Sequence, residues 1–455
     1  MFKRLFKISM AQKSPMRPLI VIIGATGTGK SQLAIDLAKK FNGEIINADA
    51  MQMYVGLPII TNKVSKDEQE EIPHHLLGHV KLEEETWRVD AFQSEARKLL
   101  YQIRSRDKIP IVVGGTHYYA QSLLFEDSIL SARGAHGTAE NPSSDLEISK
   151  EFPILDGPSD IILKKLKEVD PVMAERWHPN DIRKIRRSLE IFLTTGEKAS
   201  DAYAKQKNVT KILLEKESDS NRLSEHLDAT STLIFWLHTD SKILDQRLDA
   251  RVKNMMKAGL LEEIRCMHQY WQQQQQIGVR IDKTRGIWAS IGWKEFDPYL
   301  RALDKGEDME KILELCIQQT QAATRRYAKR QVRWIQLKLR PALTKCKLLR
   351  DRLYLLDSND ASRFQQNVSE LAISITSKML ANEDLPSPLD SSAIARDVLG
   401  GVKEKPDVWF REKCEICQVK AMNEIEWQLH LKSRRHRTML KRKATEGKSN
   451  GLLGG

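Results

Sequence analysis

Gly24, Gly29, Lys30 and Ser31 fall in the spacing G-x4-G-K-S, and residues 24–31 read GATGTGKS without a gap. That spacing suits phosphate. The glycines let successive backbone N–H groups turn toward phosphate oxygens, the Lys30 ammonium reaches the outer phosphate, and the Ser31 hydroxyl reaches a magnesium ion. The motif needs a strand before it and a helix after it. Residues 18–24, PLIVIIG, are an apolar run suited to a fully buried strand, and Leu33, Ala34, Leu37, Ala38 and Phe41 recur at helical spacing. Gly24, Ala25, Thr26, Gly27, Thr28, Gly29, Lys30 and Ser31 are therefore expected to cradle a di- or triphosphate, with the helix N-terminus adding partial positive charge.

A second group lies in 44–54, EIINADAMQMY, which reads as a short strand delivering Asp49 at its C-terminal end. Ligands of open α/β sheets bind outside those ends, so Asp49 is placed to touch the substrate. Gln52 and Tyr54 read as a hydrogen-bonding and stacking pair for a base. A third strand is expected over 109–119, IPIVVGGTHYY. Where a hydrolytic ATPase would end such a strand with an aspartate for magnesium, this one has Gly114, Gly115 and Thr116, which argues against a motor. The adjacent His74 and His75 read as structural residues of a loop.

Cys414-x2-Cys417-x12-His430-x5-His436 has the spacing of a Cys2His2 zinc site, and so small a module needs the metal as its core. The neighbouring LKSRRHRTMLKRK favours a nucleic-acid partner. Cys266, Cys316 and Cys346 stand alone, which is no secreted disulfide framework and points to a reducing compartment.

The 455 residues exceed one ordinary domain, and the net charge of +12 favours a polyanionic partner. No run reaches the length of a membrane span. Cations gather in three tracts. Residues 178–196 are expected to form a helix capped by Asn180 or Asp181, carrying Arg183, Lys184, Arg186 and Arg187, and closed by Gly196. In a long helix after the strand 231–239, Arg247 and Arg251 share a face. Residues 321–335 interleave five cations with Tyr327 and Trp334, a nucleic-acid surface or the core side of an amphipathic helix. The five glutamines 272–276 read as a solvent loop.

The expected organisation is an α/β P-loop core with a parallel sheet over 18–125 and 231–343. A mainly helical insertion occupies 126–230, an accessory segment and linker 344–405, and the finger 406–445. The first 17 residues carry five cations, no acid and an amphipathic pattern, the composition of a mitochondrial presequence. Met10 offers a second start, hence a cytoplasmic product, and LKRK a nuclear address.

Three functions remain open on residues alone. One is a small-molecule or nucleotide kinase using ATP, one a transferase whose loop holds a diphosphate leaving group, and one an RNA-binding protein with a degenerate nucleotide site. The basic tracts and the finger make the acceptor a nucleic acid and favour the transferase. GATGTGKS, INADAMQMY, IPIVVGGTHYY, HPNDIRKIRRSLEI, IGWKEF and TRRYAKRQVRWI, in that order, resemble the tRNA dimethylallyltransferases. The finger resembles that of the family's eukaryotic, particularly fungal, branch.

The resemblance implies transfer of a dimethylallyl group from dimethylallyl diphosphate to N6 of the adenosine 3′-adjacent to the anticodon, by a monomer using Mg²⁺ and a zinc finger. It implies Asp49 as the base, with Thr26 and Arg251 stabilising the departing diphosphate. It further implies contacts to the flipped-out adenosine from Asp49, Ala50, Met51, Gln52 and Thr116, and a grip on the anticodon stem by Arg183, Lys184 and Arg187. Two positions depart from the family pattern: Lys184 stands where arginine is common, and Arg326 where glutamine is usual.

Overall fold

The computed structural model describes residues 17–84, 87–125, 148, 150–177, 179, 181–205, 223–224, 226–279, 281–305, 309–400, 412–421, 424–440 and 442. The chain divides into two compact units, Met1–Ile129 with Thr210–Gly401, and Leu130–Val209 with Val402–Gly455.

The first unit is built on β1 (Leu19–Gly24), α1 (Lys30–Phe41), β2 (Gly43–Asn47), β3 (His74–His75), α2 (Val89–Arg104), β4 (Ile109–Val113), α3 (His117–Leu124), β5 (Thr232–His238) and β6 (Leu353–Asp357). Its six strands pair in the order β3-β2-β4-β1-β5-β6, every neighbouring pair parallel. Strands buried on both faces read as unbroken apolar runs, and β1 is such a run. Its alternate residues feed two cores. Leu19, Val21 and Ile23 join Phe92, Leu100 and Trp236 on one face, while Ile20 and Ile22 join Leu33, Leu37 and Phe235 on the other.

Five expectations change. Residues 344–405 are not an accessory segment, because Leu353–Asp357 pairs in parallel with β5 and completes the sheet. The helix α11 (Leu371–Leu380) packs its Ala372, Ile375 and Met379 against α1's side of the core. The strand expected over 109–119 ends at Val113. A Cβ on Gly114 would stand 2.1 Å from the Ala48 carbonyl carbon, so two backbones cross there and the chain turns into α3. His74 and His75 form an edge strand rather than a loop, because Ile45 and Ile46 pair with them. The glutamine run continues the helix α8 (Leu260–Gln276), which precedes α9 (Asp297–Lys305), as unbranched glutamine does readily, and Gln272 bonds back to His268 at 3.0 Å. The expected boundary of the insertion at 230 also shifts. Leu223 bridges Phe125, and the Ser224 N–H donates to the Leu124 carbonyl at 3.4 Å, so residues 223–230 already belong to the first unit.

Of the second unit, Leu130–Val209 contains α4 (Ser159–Val169), α5 (Pro171–Arg176) and α6 (Ile182–Thr195), which bury Leu155, Ile162, Leu166, Met173, Ile185 and Leu189 together. Asp170 holds this bundle closed by accepting from the N–H groups of Met173 at 3.1 Å and Ser200 at 2.8 Å. Gly196 closes α6 in the left-handed conformation, as expected. At the other end the Asp181 side chain makes no cap; it pairs with Lys184 at 2.6 Å. Asn180 and residues 1–16 lie outside the described residues, as does much of 126–160. The carboxy-terminal part pairs β7 (Glu412–Lys413) antiparallel with β8 (Lys420–Ala421) before α12 (Glu424–Leu431).

Glu44 ties three sheet segments together. Only 3% exposed, it accepts from Arg106 at 2.6 Å, His75 at 2.7 Å and Lys108 at 3.0 Å. Burial alone would raise its pKa, but the bonds to Arg106, His75 and Lys108 outweigh that and hold it at about 2, against 4.5 for a free side chain. A depressed carboxyl stabilises the fold fully above about 4.5 and loses that contribution as pH falls toward 2. Glu44→Gln is therefore expected to cost roughly 3 kcal/mol in urea unfolding at neutral pH, the worth of a buried carboxylate held from 4.5 down to about 2 by its three partners. Its deficit relative to the unsubstituted protein should shrink as pH drops through that window; a deficit independent of pH would contradict this.

Candidate active site

The C-terminal ends of β1, β2 and β4 deliver the chemistry. β1 ends in Gly24, and the loop that follows closes on α1. Gly27 and Gly29 take φ of +86° and +92°, which side-chain-bearing residues resist. At Gly29 a Cβ would also stand 2.4 Å from the Phe364 ring. Thr28 ties the loop internally by donating to the Ala25 carbonyl at 2.9 Å, and the Lys30 ammonium donates to the same oxygen at 2.8 Å.

Two residues beyond β2 stands Asp49. Its N–H donates to Asn47 Oδ1 at 3.1 Å, and its Oδ1 accepts from the Met51 N–H at 3.1 Å. Thr116 locks the adjoining turn, donating its N–H to the Ala48 carbonyl at 3.1 Å and accepting from the Ala50 N–H at 3.1 Å. From the helix α7 (Ser241–Lys257), Arg251 donates to Thr26 Oγ1 at 2.6 Å. The expected face-mate Arg247 instead binds the Ser358 and Asn359 carbonyls, each at 2.6 Å, and anchors the turn after β6.

The charges here are mutually dependent. Burial lowers Lys30 to about 8, the Asp49 carboxylate opposes that fall, and Arg251 adds to it. Burial raises Asp49, with Lys30 and the Met51, Gln52 and Gly115 amides pulling back. Burial also lowers Arg251. Lys30 thus senses both the carboxylate and the guanidinium that serves Thr26. The sheet has brought together the phosphate loop, Asp49, Thr116 and Arg251 as the sequence led one to expect.

Two residues at this site, His117 and Gln331, escaped the sequence reading, and a third, Tyr327, reads in sequence only as nucleic-acid surface or helix core. The ring of His117, buried at the start of α3, lies with Nε2 3.3 Å from the Gly24 nitrogen and 3.2 Å from the Gly24 carbonyl oxygen; burial and Lys30 push it to about 3, so it is neutral, and its tautomer sets which of the two it bonds. Tyr327 and Gln331, one turn apart on α10 (Glu310–Trp334), stand over Gly115. Burial and the Asp49 charge hold the Tyr327 hydroxyl well above its usual range, hence protonated. The available signal was periodic: Thr320, Ala323, Tyr327 and Gln331 fall on one helical face, small or polar where a core stripe would be aliphatic.

Tyr54 is a correction in the other direction. It is fully buried, with its hydroxyl donating to the Glu84 carbonyl at 3.0 Å, so it cannot stack on a base. Gln52 spends its amide on the Asn62 carbonyl at 2.9 Å, bracing its own loop. Ala50 and Met51 are half-buried beside Asp49.

In the second unit, Arg183 and Lys184 are exposed on α6 and Arg187 is half-buried beside Glu190. Lys184 also lies 4.9 Å over the Trp177 ring. Arg186 does not join them. It is 8% exposed and donates to the Leu155 carbonyl and to Glu190, both at 3.2 Å, because its position on α6 points into the bundle.

Cys414, Cys417, His430 and His436 converge with ligand atoms within 4.8 Å of one another. His436 Nδ1 lies 3.4 Å from Cys414 Sγ and 3.5 Å from Cys417 Sγ. Zinc bonds of ~2.3 Å to sulfur and ~2.0 Å to nitrogen give tetrahedral edges of about 3.5 Å. Donor types and spacing both fit zinc. Among the described residues no helix is long and apolar enough to cross a membrane.

Comparison with known proteins gives the same picture. A family model described as IPP transferase matches residues 52–338, and one described as a zinc-finger of C2H2 type matches 413–436. The chain is 37% identical to the tRNA dimethylallyltransferase of Saccharomyces cerevisiae over 94% of its own length and 92% of the relative's. It is 38% identical to that of Schizosaccharomyces pombe (94% and 96%) and 36% identical to that of Homo sapiens (94% and 86%). A solved structure of a eukaryotic dimethylallyltransferase acting on tRNA superposes with a TM-score of 0.71 and 36% identity, covering 96% of this chain and 99% of that one.

Chelation of zinc, or Cys414→Ser, is expected to abolish bound metal and unfold 412–436 while leaving the cooperative unfolding of the sheet unit in place. Metal analysis and tryptophan-fluorescence denaturation would check it; loss of the sheet transition along with the metal would contradict it.

Proposed function

Because the chain belongs to the IPP transferase family, that of the tRNA dimethylallyltransferases, we propose that it transfers a dimethylallyl group from dimethylallyl diphosphate to N6 of the adenosine 3′-adjacent to the anticodon of tRNA. The observation that carries the reading is that Thr26, bonded by Arg251, and Gly115, which lies against the Asp49 carboxylate, are bridged by one side chain, so a leaving-group site and a base share one site.

In this reading the adenosine N6 lone pair attacks C1 of the allyl group, the C1–O bond breaks, and its electrons leave on the bridging oxygen. Asp49 takes the N6 proton. Its pKa, raised by burial, makes it a better base than a solvated carboxylate, and the Met51 N–H fixes the orientation of Oδ1. Charge developing on the bridging oxygen meets Thr26. Arg251 donates to Thr26 Oγ1, which leaves the hydroxyl proton of Thr26 free to point at the leaving oxygen. The backbone of 24–31 and Lys30 hold the remaining phosphate oxygens.

The Ser31 hydroxyl at the start of α1 suits a magnesium ion that draws its other ligands from phosphate and water, and β4 ends without a carboxylate to replace them. Bound there, the ion would neutralise diphosphate charge. The target base must leave its stack to reach Asp49, and Asp49, Ala50, Met51, Gln52 and Thr116 form its pocket. Arg183, Lys184 and Arg187 supply phosphate contacts. The enzyme works as a monomer. The basic stretch 1–17 supports a mitochondrial share, a start at Met10 a cytoplasmic one and LKRK a nuclear one; N-terminal peptides of the cellular forms should separate by compartment accordingly.

Asp49→Ala should lower kcat by about 10²- to 10⁴-fold, the usual worth of a general base. tRNA affinity should hold within about threefold, because phosphate contacts dominate it. Parallel loss of tRNA binding would make Asp49 structural instead. The pH profile of kcat/KM should be bell-shaped. Asp49 acts as carboxylate, so activity falls as acid protonates it, above the 3.8 of a free aspartate. Lys30 acts as ammonium, so activity falls again above about 8. Lys30→Arg should abolish the alkaline limb and keep the acid one; an alkaline limb that persists would contradict the assignment.

A further inference from the structure

Gln331 spans the site just described. Its Oε1 accepts from the Thr26 N–H at 2.8 Å and its Nε2 donates to the Gly115 carbonyl at 2.9 Å. The residue is 4% exposed and sits in α10, joining loops that follow β1 and β4. Both ends of the amide are used, and the partners fix its orientation, since a flip would set donor against donor and acceptor against acceptor. Gly115 in turn offers its amide to Asp49, and Tyr327, one turn earlier, bonds to the Gln331 side chain. A Cβ at Gly115 would stand 2.4 Å from Gln331 Nε2 and 2.8 Å from Asp49 Oδ2, so the three groups meet at van der Waals range.

We propose that Gln331 is a positioning residue that sets the separation between the leaving-group end of the site, at Thr26, and the base end, at Gly115 and Asp49. Bond formation at N6 and bond breaking at C1 must occur along one line, and misplacement by about 1 Å costs on the order of 10²-fold in rate. Neither Thr26 nor Asp49 can fix that distance alone. Each sits on a separate loop, and the sheet pairs only the strands beneath them. His117 meets the loop only at its root, Gly24, and the Gln331 amide supplies the constraint at Thr26 itself. It also ties both loops to α10, whose exposed face carries Arg326, Arg330 and Arg333.

The inference rests on the transfer reaction proposed above, and the test separates the two. Purified full-length Gln331→Met and Gln331→Glu would be assayed with dimethylallyl diphosphate and unmodified tRNA, beside the unsubstituted protein. Melting temperature, inorganic diphosphate affinity and tRNA affinity would be recorded for each. Methionine removes both bonds. Glutamate keeps the acceptor for Thr26 but opposes the Gly115 carbonyl and sets a second negative charge near Asp49. The expected result is a fall in kcat of about 30- to 100-fold in both variants. KM and the two affinities should stay within about threefold. In Gln331→Glu alone, the acid limb of the pH profile should move to higher pH. Unchanged kcat in a folded Gln331→Met, or a kcat that falls only with the folded fraction, would overturn the role. An unsubstituted protein that transfers nothing would overturn the reaction instead.

Discussion

Three charges gathered beside the phosphate loop set the terms for the rest of the structure. Lys30, Asp49 and Arg251 are half-buried, and burial moves all three toward neutrality. Removing Asp49 would leave Lys30 beside Arg251 with no carboxylate to oppose their repulsion, and a buried charge without a partner is costly. The fold meets this with fixed donors. The Met51 amide serves Asp49, and Thr26 occupies Arg251. His117 is kept neutral by the same burial, so a fourth charge is not added beside Lys30. Such a site is preorganised: its dipoles point inward before any substrate arrives, which is how a protein stabilises charge that appears only in a transition state.

The sheet makes this arrangement possible by geometry that is nearly all backbone. Parallel strands β1, β4 and β2 end side by side, and Gly114 lets the β4 turn cross against Ala48. The phosphate loop and the Asp49 turn therefore start from neighbouring points. Elements far along the chain then cover them: α7 brings Arg251, α10 brings Tyr327 and Gln331, and the turn after β6 brings Phe364 against Gly29. The second unit contributes in a different way. Its insertion presents Arg183 and Lys184 on α6, and its finger closes four ligands on a metal-sized gap.

Much of this was legible in residues that act locally. A phosphate loop is a contiguous pattern, and an aspartate just past the end of a short apolar strand announces its own position. The Cys2His2 register also survives any packing. What sequence hid was nonlocal. LYLLD reads as a strand, but nothing in it says that it pairs with β5 more than a hundred residues earlier. Tyr54 beside Asp49 looked like a base platform, because a single aromatic residue does not reveal which side of the chain it lies on. Arg186 shared a tract with three other cations, and only its helical phase sent it into the bundle. Gln331 was hidden by chemistry: a neutral amide in a basic helix looks like surface until both of its ends are seen to be occupied.

Incubation of the full-length protein with dimethylallyl diphosphate, Mg²⁺ and unmodified tRNA, followed by mass spectrometry of the digested nucleosides, tests the central claim most directly. The account predicts N6-dimethylallyl adenosine, mapped to the position 3′ of the anticodon, with diphosphate released in equal amount. No modified adenosine in a tRNA set containing that residue, together with turnover of ATP, would contradict it and make the phosphate loop that of a kinase.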